Sequence, residues 1–223
     1  MPYNPNIHHR RSIRLQNHDY SQPGTYFVTI CVQDRACLFG DVVDGEMRLN
    51  DAGTMVTRWY NELAQKFGDI VCDAWVCMPN HIHYIVMNTG LVRPSDDSVG
   101  ADLCVRPAAC RSELGEHAGS KKGEHADSKK GEHAGSPLRR VVQWFKTMST
   151  NEYIRGVRQH QWQPFPGRLW QRNYWEHIVR DETELNRIRE YIVTNPVRWE
   201  MDRLHPDQGD GAVREKPAMF SGT

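Results

Sequence analysis

The stretch Pro79-Asn80-His81-Ile82-His83-Tyr84-Ile85-Val86 sets two histidines two residues apart in a run of apolar, strand-forming side chains. In a strand, residues i and i+2 face the same way, so His81 and His83 project side by side while Ile82 points into a core. Two imidazoles at this spacing can chelate a divalent metal. Two satisfied or exposed histidines with no ligand role would give the same pattern. A third arrangement joins Cys72 and Cys77 to His81 and His83 as a structural zinc site, although Cys77 lies in an apolar run where a buried thiol is the ordinary state. Hydrolysis by a metal helix would call for a Glu pattern of the HExxH kind, and none lies nearby.

A second group with chemical potential is Glu190-Tyr191-Ile192-Val193-Thr194-Asn195-Pro196. On a helix, Tyr191 and Asn195 are i and i+4, one turn apart on one face. Leu185, Ile188 and Ile192 form an apolar stripe that would pack on a sheet, with Tyr191 at its edge. A half-buried helix aromatic with its hydroxyl at the rim accounts for Tyr191 on these grounds as well as a reactive phenol does.

These residues need elements to hold them. Thr25 to Val32 is β-branched and aromatic after the turn pair Pro23-Gly24 and reads as a strand. Between Leu38 and Leu49 the pair Asp44-Gly45 divides two short apolar runs, which predicts a hairpin. Asn50 or Asp51 caps a helix to about Phe67, with Met55, Trp59 and Leu63 at fourfold spacing and Gly68 at its end. Ile70 to Met78 and Ile82 to Met87 read as two pieces of one β segment interrupted at Pro79-Asn80. Leu138 to about Ile154 is a helix, Gln161 to Tyr174 a Trp- and Pro-rich connection, and Glu182 to Thr194 a last helix stopped by Pro196. The expected class is α+β: a sandwich with an antiparallel sheet and helices on one face.

The chain has 223 residues, and its 28 Lys+Arg balance 28 Asp+Glu. A uniformly basic nucleic-acid coat is excluded. From Gly115, three near-copies of an eight-residue unit (GEHAGSKK, GEHADSKK, GEHAGSPL) offer one small apolar residue each, too little to bury a face. Residues 91–136 therefore read as a flexible insertion, which helps explain a mean hydropathy of −0.70. His117, His125 and His133 recur within it, among Gly and Ser that fix no geometry, as do Cys104 and Cys110. The remaining charge is uneven: Pro137 to Arg180 carries eight Arg/Lys against Glu152 and Glu176. Arg10, Arg11 and Arg14 make a second basic cluster. No apolar run approaches membrane-spanning length, the first residues lack a signal-like stretch, and the six cysteines read as reduced thiols, so the expected location is cytoplasmic.

Several motifs occur together in order: RRSIRLQNHDYSQPGTYFVTICVQDR, FGDVVDGEMRLNDAG, MPNHIHYIV, WQRNYWEHIVRDE and YIVTNPVRW. In these the chain resembles the REP-associated tyrosine transposases, relatives of the single-tyrosine HUH transposases, over about 20–90 and 138–204. The resemblance implies a ferredoxin-like fold of the HUH endonuclease type. It has a basic N-terminal arm at 1–24, a catalytic domain at 25–204 interrupted at about 91–136, and a disordered tail at 205–223. It matches His81 and His83 to the metal-binding pair, Tyr191 to the nucleophile and Asn195 to a third ligand, and implies Mg²⁺ or Mn²⁺ as cofactor. Tyr174 is a rival nucleophile, set aside because the motif aligns at Tyr191 and Asn195 can reach the same metal. The implied activity is cleavage and rejoining of single-stranded DNA beside a palindromic hairpin through a 5′-phosphotyrosine; the alternative is a hairpin-binding protein with little turnover. Arg10, Arg11, Arg14, Arg139, Arg140, Lys146, Arg172, Tyr174, Trp175 and His177 are the expected DNA contacts. The partners are single-stranded or hairpin DNA and no membrane, with the protein acting as a monomer or homodimer.

Overall fold

A computed structural model describes residues 18–20, 22–90 and 137–208. The arm residues Arg10, Arg11 and Arg14, the segment 91–136 with its repeat histidines, and the chain beyond 208 lie outside the described residues. Of the expected tail, Pro206–Gln208 forms a single 3₁₀ turn.

The strands are β1 (Gly24–Cys31), β2 (Gly40–Val43), β3 (Glu46–Leu49), β4 (Ile70–Met78), β5 (His81–Asn88) and β6 (Trp175–Val179). The helices are α1 (Asp51–Asn61), α2 (Leu63–Lys66), α3 (Pro137–His160) and α4 (Glu182–Thr194). Four strands make one antiparallel sheet in the order β4-β5-β1-β6, and β2 and β3 pair separately. With that hairpin set aside, the order strand, helix, strand, strand, helix, strand and this sheet arrangement give the expected ferredoxin-like α+β fold. As expected, α1 and α3 pack together on one face. The other face carries α4, and the candidate chemistry lies beneath it.

Central β1 has a nearly continuous apolar sequence because both its sides are covered. Tyr26, Val28 and Ile30 enter a core with Met55, Val56 and Tyr60 of α1 and Val141, Val142 and Phe145 of α3. Phe27 enters a second core with Ile85 of β5 and Leu185, Ile188, Tyr191 and Ile192 of α4. The Asp44-Gly45 turn has φ of 54° and 77° at its two residues, the twist that a tight hairpin needs.

The expected single β segment around Pro79-Asn80 is two antiparallel strands joined by a turn at that pair, with Met78 opposite His81. Proline read as an interruption is here a reversal of direction. Strand β6 lies just after the expected connection, where the sequence predicts no element: its five residues, all partly exposed, lie at the sheet edge and lack a long apolar run. The expected first helix breaks at Glu62 into α1 and α2, and α3 continues six residues past Ile154 to His160. Around Trp162 the connection folds back over α3, so close to Gly156 that a Cβ there would lie 2.1 Å from the indole.

Asn50 caps α1, accepting at Oδ1 from the Gly53 amide at 2.9 Å. Gly53 lies against the chain before β2: a Cβ there would sit 2.2 Å from the Phe39 carbonyl oxygen. Replacing a helical Gly with Ala ordinarily gains about 1 kcal/mol. Here the sign reverses, because a backbone oxygen cannot swing aside. Gly53→Ala should lower stability by about 1–3 kcal/mol in urea unfolding; a stabilised variant would contradict the close approach.

Candidate active site

The register of the sheet assembles the first half of the site. Thr29 of β1 lies opposite His83 and Cys31 opposite His81, while Val76 and Met78 of β4 flank the same two histidines. His81 and His83 alternate with Ile82 and Tyr84, which enter the α1/α3 core, so both imidazoles face α4. Both are fully buried. Their Nε2 atoms are 3.0 Å apart, His83 Nδ1 lies 2.8 Å from Thr29 Oγ1, and His81 Nδ1 lies 2.8 Å from Asn80 Oδ1.

Helix α4 brings the second half. Asp181 caps it, accepting from the Glu184 amide at 2.8 Å, and the stripe Leu185, Ile188 and Ile192 seats it on Phe27 and Ile85. Two polar contacts fix its rotation. Glu184 Oε1 lies 2.8 Å from His177 Nε2 on β6. Arg189 donates to both carboxylate oxygens of Asp73, at 3.1 and 2.6 Å, and holds that carboxyl below its usual range. Asp73 sits where a bulge interrupts the β4 register between Cys72 and Trp75.

So placed, Tyr191 brings its phenol oxygen within 3.4 Å of His83 Nε2, with its ring 5.3 Å from that imidazole. Its pKa is raised, chiefly by burial and next by Asp202, while the Asn195 amide opposes the shift. Asn195 is buried; its Nδ2 donates to Asp202 Oδ2 at 3.4 Å, and its Oδ1 has no hydrogen-bond partner among the described residues.

Asp202, just after the 3₁₀ helix Pro196–Met201, was not foreseen. His81, His83 and Asp202 each offer a ligand atom within 4.8 Å of the other two, a group that could hold a metal ion. The unpartnered Asn195 Oδ1 adds an oxygen donor, and imidazole nitrogen with carboxylate and amide oxygen is a donor set that divalent ions accept. Sequence spacing gave no pointer to Asp202, because the change from α to 3₁₀ winding after Thr194 breaks the periodicity that relates Asn195 to Tyr191. Trp199 of the same turn packs 5.9 Å from the His81 ring and 4.8 Å from His205.

Other expected residues fall elsewhere. Cys72 and Cys77 belong to the α1/α3 core, away from the face carrying His81 and His83, so the four-ligand zinc arrangement is not assembled. Tyr174 also packs against that core, with Lys146 Nζ 5.5 Å from its ring centroid. Lys146 donates to the carbonyls of Gln171, Arg172 and Asn173 at 2.9, 3.4 and 3.3 Å, and burial pushes its pKa down to about 8. It ties the connection before β6 to α3. Arg139, Arg140 and Arg172 are exposed, the first two on α3 across the sheet from the histidines. Trp175 and His177 lie on the α4 side, with stacked rings 5.8 Å apart.

Burial depresses both imidazoles. His81 is lowered to about 3, by desolvation first and the Arg35 charge second. His83 is lowered by desolvation and then by His81, with Asp202 opposing. In the unfolded chain each titrates near 6.5. Below that value the unfolded state binds protons that the folded state does not, so stability is full above about pH 6.5 and is lost as pH falls. With a chelator present, the slope should approach about 1.4 kcal/mol per pH unit for each histidine. His81→Gln should reduce it by about half, leaving the His83 contribution; urea midpoints that do not change between pH 7.5 and 5.5 would contradict this electrostatic description.

No family model matches the chain. Over 209 residues it is 35% identical to an uncharacterized protein of Haemophilus influenzae, covering 92% of this chain and 98% of that protein. Among solved structures, a REP-associated tyrosine transposase bound to a REP hairpin aligns with 91% of this chain and 95% of its own, at 16% identity and a TM-score of 0.41. A candidate transposase of Deinococcus radiodurans aligns with 81% of this chain and 96% of its own, at 13% identity and a TM-score of 0.37. The identity shared along nearly the full length of both proteins shows that this chain belongs to the same family as the Haemophilus influenzae protein.

Proposed function

We propose that the chain is a metal-dependent endonuclease and strand transferase for single-stranded DNA, of the single-tyrosine HUH type, with Tyr191 as nucleophile. The observation that carries this reading is the phenol oxygen 3.4 Å from His83 Nε2, beside a His-His-Asp group whose ligand atoms lie within 4.8 Å of one another. The motifs named in the sequence support it independently.

In this reading the Tyr191 oxygen attacks phosphorus and the P–O3′ bond breaks. The phenolic proton passes through solvent to the departing 3′ oxygen, leaving a 5′-phosphotyrosine and a free 3′-OH. Attack by another 3′-OH reverses the step, so strands are rejoined without an external energy source. Burial keeps the phenol protonated at neutral pH, and the Asn195 amide is the group placed to favour its anion. His81, His83 and Asp202, with Asn195 Oδ1, would hold Mg²⁺ or Mn²⁺, which supplies a Lewis acid for the scissile phosphate. Trp175 and His177, on the α4 side of β6, suit stacking of an unpaired base, and exposed Arg172 suits a phosphate. By resemblance the substrate is a short hairpin with an adjoining single strand.

Incubation of a labelled hairpin oligonucleotide bearing a single-stranded flank with Mn²⁺ should give a covalent protein–DNA species that survives denaturing electrophoresis. Tyr191→Phe should lower its yield by at least about 10³-fold, and His81→Ala should also suppress it. The reading fails if wild type forms no such species with family-type hairpins, or if Tyr191→Phe still forms it.

A further inference from the structure

We infer that Asn80 is a positioning residue that sets the tautomer of His81 and ties that ring to the segment carrying Asp202; the inference rests on reading His81 and His83 as metal ligands. Asn80 is 1% exposed. Its Nδ2 donates to the carbonyls of Arg35 at 3.1 Å and Leu204 at 2.8 Å. Carbonyl oxygens only accept, so both amide hydrogens are committed and the orientation of the amide is fixed. Its Oδ1 then faces His81 Nδ1 at 2.8 Å. An amide oxygen also only accepts, so Nδ1 of His81 carries the proton and Nε2 presents its lone pair toward His83.

The neighbouring ring differs. The two Nε2 atoms are 3.0 Å apart, too close for two lone pairs to face each other. In the metal-free protein the proton between them therefore belongs to His83 Nε2. His83 Nδ1 accepts from the Thr29 hydroxyl at 2.8 Å, and a hydroxyl can rotate to donate or accept. Loading a metal onto both Nε2 atoms requires no change at His81. At His83 the proton would have to move from Nε2 to Nδ1, and Thr29 Oγ1 would turn from donor to acceptor. One ligand is preset by an amide that cannot adapt; the other is held by a hydroxyl that can.

The same amide organises the rest of the site. Leu204 lies two residues beyond Asp202, and its own N–H donates to Asp202 Oδ1 at 2.7 Å. Arg35 belongs to a turn in which Asp34 and Arg35 adopt φ of 57° and 55°, and its Nη1 donates to the Arg203 carbonyl at 3.0 Å. The turn after β1, the turn before β5 and the segment after α4 thus meet at one carboxamide. A ring nitrogen locked by an outer partner is a recurrent means of orienting metal-binding histidines, and losing that partner typically costs 10–100-fold in metal affinity.

Imidazole ¹⁵N–¹H correlation spectra of the full-length protein, with a chelator, test this directly. Wild type should show His81 as the Nδ1–H tautomer and His83 as Nε2–H, and Zn²⁺ as a diamagnetic probe should convert His83 to Nδ1–H. In Asn80→Leu, His81 should lose its tautomer preference, and Mn²⁺ affinity read from the paramagnetic resonance of free ion should fall about 10–100-fold. His81 found as Nε2–H in wild type overturns the inference whether or not the variants fold, as does an unchanged Nδ1–H preference in Asn80→Leu. A wild-type protein that binds neither ion would instead remove the metal reading and leave the chelated spectra to decide the tautomers.

Discussion

The β1–β5 register is the constraint on which the rest of the site depends. It sets Thr29 beside His83 and Cys31 beside His81, which turns both imidazoles toward α4 and sends Ile82 and Tyr84 into the opposite core. Side chains alternate along a strand, so a slip of one residue would bury the imidazoles under α1 and α3 and carry Ile82 and Tyr84 to the α4 face in their place. That slip is opposed by apolar burial on both sides of the sheet, where each fully buried large side chain contributes about 1.5–3 kcal/mol. The histidine pair is thus oriented by the hydrophobic pattern around it. Its own polar contacts then refine ring positions within a geometry already decided.

Helix α4 follows the same division of labour. Leu185, Ile188 and Ile192 supply most of its docking free energy through burial on Phe27 and Ile85. The contacts from Glu184 to His177 and from Arg189 to Asp73 reach opposite edges of the sheet, β6 and β4, and so set how the helix is rotated. Arg189 is more than a third exposed, and ion pairs at such positions add little stability. Their value here is orientational, because rotating α4 by a fraction of a turn would carry Tyr191 away from His83.

Much of this could be read in the residues. The period-two placement of His81 and His83, the i, i+4 relation of Tyr191 and Asn195, the Asn50 cap and the bounds of α4 are local patterns, and the structure has them where expected. Preferring Tyr191 to Tyr174 as nucleophile rested on the family motif and on Asn195 one turn away, because a helix-edge phenol also has an ordinary packing role. Other features depend on distant parts of the chain. The β4–β5 reversal looked like an interruption because proline and asparagine serve either purpose, and β6 lacked the long apolar run of a central strand. Asp202 and Asn80 carry no spacing signal: each becomes legible only when the turn after β1, the turn before β5 and the chain after α4 converge. Lys146, counted among basic residues in the sequence, is spent on three carbonyls.

The central claim is that Tyr191 is the residue that becomes bonded to DNA. The direct test is to digest the covalent product with nuclease and trypsin and to locate the nucleotide remnant by mass spectrometry. The account predicts a 5′-phosphoryl nucleotide on Tyr191, within the tryptic peptide 190–198. A remnant on Tyr174, or on any residue other than Tyr191, would contradict it.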